Sequence, residues 1–232
     1  WDIGFSGGSM LAAFCQGIAL GALVQGIAVD DRAYAGGWWD WLTPFSVLVA
    51  ISVAGGYVLL GSCWLVLKTE GDTQKGARKW ARRATIFVLV AMAAVSLATL
   101  SIDARVTERW GLNMQALEFG KFLTLAPIPF ISVILAFFLW RDIWIRIENA
   151  PDWRPMVFTI GLFLTGYLGL AFSLFPNLVP FDLDIWQTAA RDNALMLMLV
   201  GAVIMLPVIL GYTIYVYSLF WGKVDPEESY HD

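Results

Sequence analysis

The chain has 232 residues, of which 59% are hydrophobic and only 15% charged, with a mean hydropathy of +0.67. A soluble domain carries about 25% charged residues, so this composition excludes an ordinary water-soluble globule. The net charge of −4 gives no basic surface for a nucleic-acid partner.

The charges avoid six long windows, at 6–29, 42–67, 84–102, 122–140, 156–175 and 194–220, none of which holds an Asp, Glu, Lys, Arg or His. An ionised side chain at the middle of a bilayer costs ~2.5–3.5 kcal/mol even on insertion scales. About 20 apolar residues span the hydrocarbon as a helix. The predicted fold class is therefore all-α: a polytopic transmembrane helical bundle of six spans.

The first window reads GIALGALVQGIA and carries Gly17, Gly21 and Gly26; the fifth carries Gly161, Gly166 and Gly169. Small residues let helix backbones approach closely in lipid, and packing is their predicted role. Gln16 and Gln25 are the most polar side chains of the first helix and are predicted to bond a neighbouring helix. Pro44 suits the first turn of the second helix. Pro127, Pro129 and Pro207 are predicted to begin or kink helices. Cys15 and Cys63 both lie inside windows and read as small packing residues, not a disulfide.

Loop charge predicts the topology. Lys68–Arg83 holds Lys68, Lys75, Arg78, Lys79, Arg82 and Arg83, and Arg141–Pro155 adds Arg141, Arg146 and Arg154. With Lys223 in the tail, one side has ten basic residues and the other five: Arg32, Arg105, Arg109, Lys121 and Arg191. The positive-inside rule assigns the richer side, with the C-terminus, to the cytoplasm. Tryptophans mark the same borders: Trp38, Trp39 and Trp41 before the second window and Trp64 near its end, Trp140 and Trp144 after the fourth, Trp186 before the sixth and Trp221 after it. They read as an interfacial aromatic belt before a ring-stacking site. Tyr212, Tyr215 and Tyr217 read as anchors of the same kind.

Ligands for a metal or haem are sparse. The one histidine, His231, lies in the charged tail and reads as solvated. Met10, Met92, Met196, Met198 and Met205 read as packing or lipid-facing residues before axial ligands. No window offers a carboxylate, His or Lys for a proton or ion path. Asp30-Asp31-Arg32 reads as a solvated turn. Asp182 and Asp184 read as the start of a short interfacial helix around Trp186 before a cation site.

A faint repeat links the halves. Gly56-Tyr57 is followed by Lys68, and Gly211-Tyr212 by Lys223, both at a Tyr-to-Lys interval of eleven residues. If it is real, helices one and two correspond to five and six, within a four-helix unit that has two further helices before Trp1. The start on Trp1 in place of Met agrees with an N-terminus lying upstream. The expected organisation is 1–68, the end of a first four-helix bundle; 69–83, a basic cytoplasmic loop; and 84–232, a second four-helix bundle with a short tail.

Two stretches carry a resemblance. Trp38–Gly71, WWDWLTPFSVLVAISVAGGYVLLGSCWLVLKTEG, resembles the signature helix of subunit II of the cytochrome bd-type quinol oxidases, and Phe175–Val224 is similar to that subunit's last loop and helix. The matching positions are Trp41, Leu42, Thr43, Pro44, Phe45, Gly56, Tyr57, Gly61, Trp64, Lys68, Thr69, Glu70 and Gly71, then Pro176, Val179, Pro180, Ile185, Trp186, Ala190, Gly201, Pro207, Tyr212, Gly222 and Lys223. The likeness leans towards the cyanide-insensitive branch. Where relatives often have an Asp after the Ile-Trp pair, this chain has Gln187.

The resemblance implies a haem-free subunit in a bacterial inner (cytoplasmic) membrane. It implies a partner, subunit I, that carries haem b and haem d and the quinol site. Membrane lipid is a further partner, with room for a quinone and a small accessory subunit. No catalytic, cofactor-binding or metal residue is carried over; the matched positions are signature and packing residues. The alternative is a secondary transporter or other membrane protein built from helix repeats, which needs broken helices and convergent polar groups at the midplane.

Overall fold

The structure, a computed structural model, describes residues 1–30, 33–102, 112–113, 116–117, 127–145, 151–180, 182–220 and 222–223. Its long helices are α1 (Asp2–Gln25), α2 (Pro44–Lys68), α3 (Gly71–Ile102), α4 (Pro127–Trp140), α5 (Arg154–Leu174) and α7 (Asp192–Leu219), with a one-turn α6 (Ile185–Thr188) between the last two. Among the described residues, six stretches are long and apolar enough to cross a membrane, one of them α4 extended to Ile145. This is the predicted all-α polytopic bundle.

The ends of the helices follow local chemistry. α1 stops at Gln25 because Gly26 takes φ +91°, a left-handed conformation that glycine tolerates. The end of the first window thus becomes the approach to a two-residue hairpin, Val29–Asp30 against Ala33–Tyr34. α2 opens with Thr43 as its N-cap and Pro44 in its first turn. The Thr43 hydroxyl accepts from Ser46 N at 3.0 Å, and the Ser46 hydroxyl accepts from Thr43 N at 2.9 Å. Asp184 caps α6 by accepting from Gln187 N at 2.6 Å, so the short helix at Trp186 forms as predicted. Pro207 lies inside α7.

One expectation changes. The segment 69–83 is not a loop: α3 begins at Gly71, and the basic run makes its first turns. Thr69 and Glu70 are the whole connection, with Gly71 at φ +63° turning the chain back. Ala, Arg, Lys and Gln are good helix formers, and no proline interrupts them. Hydropathy marks only the apolar part of this helix. Similarly, Arg141–Ile145 is not loop but one π-helical turn continuing α4. Residues 122–126 of the fourth window lie outside the described residues, as do Asp31, Arg32, Arg146, Trp221 and His231.

The core joins α2 to α5: Leu59 and Cys63 of α2, Ala81, Ala84 and Val88 of α3, Leu139 and Ile143 at the end of α4, and Leu162 of α5. α1 packs along α2. A Cβ built on Gly21 would come 2.5 Å from Ser46 Cα, and one on Gly17 would collide with Ala50 Cα. Only glycine permits that backbone approach. Gly161 and Gly169 of α5 lie under Leu135 and Ile128 of α4, whereas nothing within 4 Å meets Gly166. Hydroxyls in the spans bond the preceding turn: Ser62 donates to Val58 O, Thr85 to Ala81 O and Thr159 to Pro155 O. No lone polar group then faces hydrocarbon at these positions.

α7 stands apart. All its residues are exposed except Val216, which is partly covered. Unlike α1 and α2, α5 and α7 do not pack along their lengths.

Candidate functional site

The charged ends of five elements meet at one end of the bundle. They are the end of α2, the start of α3, the π-turn after α4, the start of α5 and the segment after α7. Sequence reading placed the segments 68–83 and 141–155 and the tail on one side; their described residues are in contact here.

Two ion clusters form. In the first, the Asp152 carboxylate accepts from Arg78 Nη2 at 2.6 Å through Oδ1, and from Lys223 Nζ at 2.6 Å and Gln74 Nε2 at 3.1 Å through Oδ2. Glu70 lies 3.4 Å from the same Lys223 ammonium. The hydrogen bond to Asp152 holds the Lys223 ammonium above its ordinary value of 10.5. A raised value means that this stabilisation is complete below the ordinary lysine range and is lost only as pH climbs through the folded-state value. The contact is therefore formed throughout neutral conditions.

In the second cluster, the Asp142 side chain is fully buried. Its Oδ1 accepts from Arg141 Nε at 3.2 Å and Nη2 at 3.1 Å. Arg154 Nε lies 3.2 Å from Oδ2. The flanking guanidinium groups sit over rings, Arg141 over Phe138 at 4.9 Å and Arg154 over Phe158 at 5.7 Å.

Several signature residues take part. Lys68 donates to Phe220 O at 2.8 Å and Gly222 O at 3.1 Å, and its ammonium lies 5.3 Å from the Trp64 ring centroid. Trp64 meets Tyr217 edge-on at 5.9 Å. The two lysines that end the Tyr-to-Lys intervals thus cross over. Lys68, closing α2, holds the carbonyls after α7, and Lys223, after α7, pairs with Glu70 just beyond α2. Among the described residues, this clasp holds the end of α7 to the bundle. Changing Lys68 to Met should cost about 1.5 kcal/mol, the lower end of the range for hydrogen bonds to charged groups, because the site is partly wet. Limited proteolysis in membranes should then cut after Leu219 faster than in the wild type; an unchanged cutting rate would refute the attachment.

The other signature residues are dispersed. Tyr57 donates to Gln16 Oε1 at 2.9 Å and stacks on Phe163. Gln25 bonds the Thr43 hydroxyl, so both glutamines bridge α1 and α2 as predicted. Gly56 faces the tip of Phe163, while Gly61 has open space. Trp41 donates to Trp38 O at 2.8 Å, Pro180 is buried near Gly26, and Trp186 meets Phe175 edge-on. Tyr212 and Pro207 lie on exposed α7. Cys15 and Cys63 are free thiols. Sequence reading missed Asp142 and Asp152; an acid lying among arginines beside Trp140 and Trp144 was the available signal.

The five methionines considered as axial ligands do not converge on one another. Met10, Met196, Met198 and Met205 lie on exposed faces, and Met92 packs on the core. Among the described residues no three of His, Cys, Asp and Glu converge as metal ligands.

Comparison with known proteins places the chain. Residues 1–220 match the family model described as cytochrome bd terminal oxidase subunit II. The chain is similar to the cytochrome bd ubiquinol oxidase subunit 2 of Bacillus subtilis (strain 168), at 26% identity over 98% of this chain and 65% of the relative. It is also similar to the cytochrome bd-I ubiquinol oxidase subunit 2 of Escherichia coli (strain K12), at 26% over 98% and 66%, and to the probable cytochrome oxidase subunit 2 of Haemophilus influenzae, at 25% over 97% and 66%. It thus spans just under two-thirds of the length of these relatives. Six apolar spans and a family match along nearly the whole chain identify it as a multi-pass membrane protein belonging to the cytochrome bd terminal oxidase subunit II family.

Proposed function

We propose that this chain serves as the haem-free membrane subunit of a cytochrome bd-type quinol:dioxygen oxidoreductase. The family match over residues 1–220 carries the reading. The partner is a subunit I that binds haem b and haem d and oxidises quinol. Haem is assigned to the partner because the only histidine of this sequence follows its last span. The chain itself scaffolds: it covers the partner with helices and keeps water from the haems. Bacterial inner-membrane lipid covers the remaining apolar faces, and a quinone or a small accessory subunit would have to bind between such faces. The basic end, with the clasp and the C-terminus, faces the cytoplasm by the positive-inside rule. The two crossing lysines support a duplicated architecture, with 1–68 and 84–232 as parts of successive helical units.

The test is co-purification. An affinity-tagged chain extracted from its native membrane should bring down a larger subunit and the absorbance bands of b- and d-type haem. The same chain expressed without that partner should show no haem band. Haem bands in the lone chain, or no haem-bearing partner on the tagged one, would overturn the reading.

A further inference from the structure

Two residues that line one cavity between the ion clusters each carry a buried, unmet polar atom. Arg78 Nε and Asp142 Oδ2 are both shielded from solvent, and neither has a hydrogen-bond partner among the described residues. For Oδ2 this holds despite Arg154 Nε at 3.2 Å, which does not meet it with hydrogen-bond geometry. The cavity has a volume of about 20 Å³, and its walls include Arg78, Asp142 and Asp152 with the apolar Val66, Ala81 and Ile143. Roughly 10–15 Å³ on this measure seats one water, provided that it finds two to four polar partners. A buried donor or acceptor left unmet costs ~1–3 kcal/mol, more when it is charged.

We propose that one ordered water molecule binds here, accepting from Arg78 Nε and donating to Asp142 Oδ2. The chemistry of the walls selects it. One orphan group is a donor and the other an acceptor, so the ligand must do both. A metal cation would face Arg78 with Arg141 and Arg154 close by. An anion would face the carboxylates of Asp142 and Asp152. A neutral molecule of water's size meets both demands, and its second hydrogen is free for Asp152. The water joins the clusters: the hydrogen-bonded chain then runs from Asp142 in the π-turn through Arg78 and Asp152 to Lys223 and the clasp on α7.

The test uses the protein in its native membrane assembly. A map fine enough to show waters elsewhere should contain a peak within hydrogen-bond distance of Arg78 Nε and Asp142 Oδ2. Radiolytic hydroxyl footprinting gives a second readout, since bound water is the radical source for buried neighbours. Ile143, on the cavity wall, should be oxidised several-fold more than Leu139, a buried neighbour in the same core that does not line the cavity. A map without the peak, a direct Arg78–Asp142 hydrogen bond closing the cavity, or Ile143 as protected as Leu139 would each overturn the proposal.

Discussion

Replacing Asp142 with alanine should destabilise the protein by about 3–5 kcal/mol, the range for removing one partner of a buried ion pair. The carboxylate is the common counter-charge of Arg141 and Arg154, and its side chain has no exposed surface. Without it, two guanidinium groups remain over Phe138 and Phe158 and lose the acceptor they share. The loss is an uncompensated buried charge, which exceeds what the pair contributes over an apolar substitute. Asp142→Asn keeps the shape and one acceptor oxygen, so its effect should be smaller. The melting temperature and yield of the purified assembly, measured for both variants, check this order. A D142A assembly that melts with the wild type would show that the carboxylate is not needed to hold this end together.

Gly21→Val should separate α1 from α2. The new Cβ would lie 2.5 Å from Ser46 Cα, a backbone atom that cannot turn aside as a side chain can. Ser46 is itself fully buried and committed to the cap with Thr43, so a shift there also undoes the start of α2. Overpacking of this kind costs ~1–3 kcal/mol and more where backbone must move. Gly17→Val should act alike against Ala50. Gly56→Ala should be milder, because the atom in the way is the tip of the Phe163 ring. A Cβ on Gly61 meets nothing within 4 Å among the described residues, so Gly61→Val serves as the control. Haem d absorbance in membranes bearing each variant, read beside the melting temperature, should fall in the order Gly21, Gly56, Gly61. Equal haem content in Gly21→Val and Gly61→Val would remove close helix packing from the explanation.

Much of the molecule was legible from order along the chain. The charge-free windows located all six spans, because ionised groups are costly in hydrocarbon wherever they occur. Gln16 and Gln25 were readable as bridges for the same reason: an amide in lipid must find a partner. The limits were less legible. Hydropathy places the third span at residue 84, yet the helix starts at Gly71, because a helix continues past the lipid wherever its residues favour it. The glycines of α1 and α5 looked alike on paper. Gly17 and Gly21 press on a neighbouring backbone while Gly166 meets nothing, and only the position of the partner helix distinguishes them.

The amino-acid sequence alone determined a bundle of membrane helices, the segments that share its basic end, and the family, since these follow from composition and local pattern. The tertiary structure decided which charges meet. Asp142 and Asp152 go unmarked in the sequence until folding brings Arg78, Arg154 and Lys223 to them. Likewise, Lys68 and Lys223 are a faint numerical echo until folding sets each against the other's helix end. Ion pairing acts over a few ångströms, and separation along the chain does not reveal which distant groups will come that close.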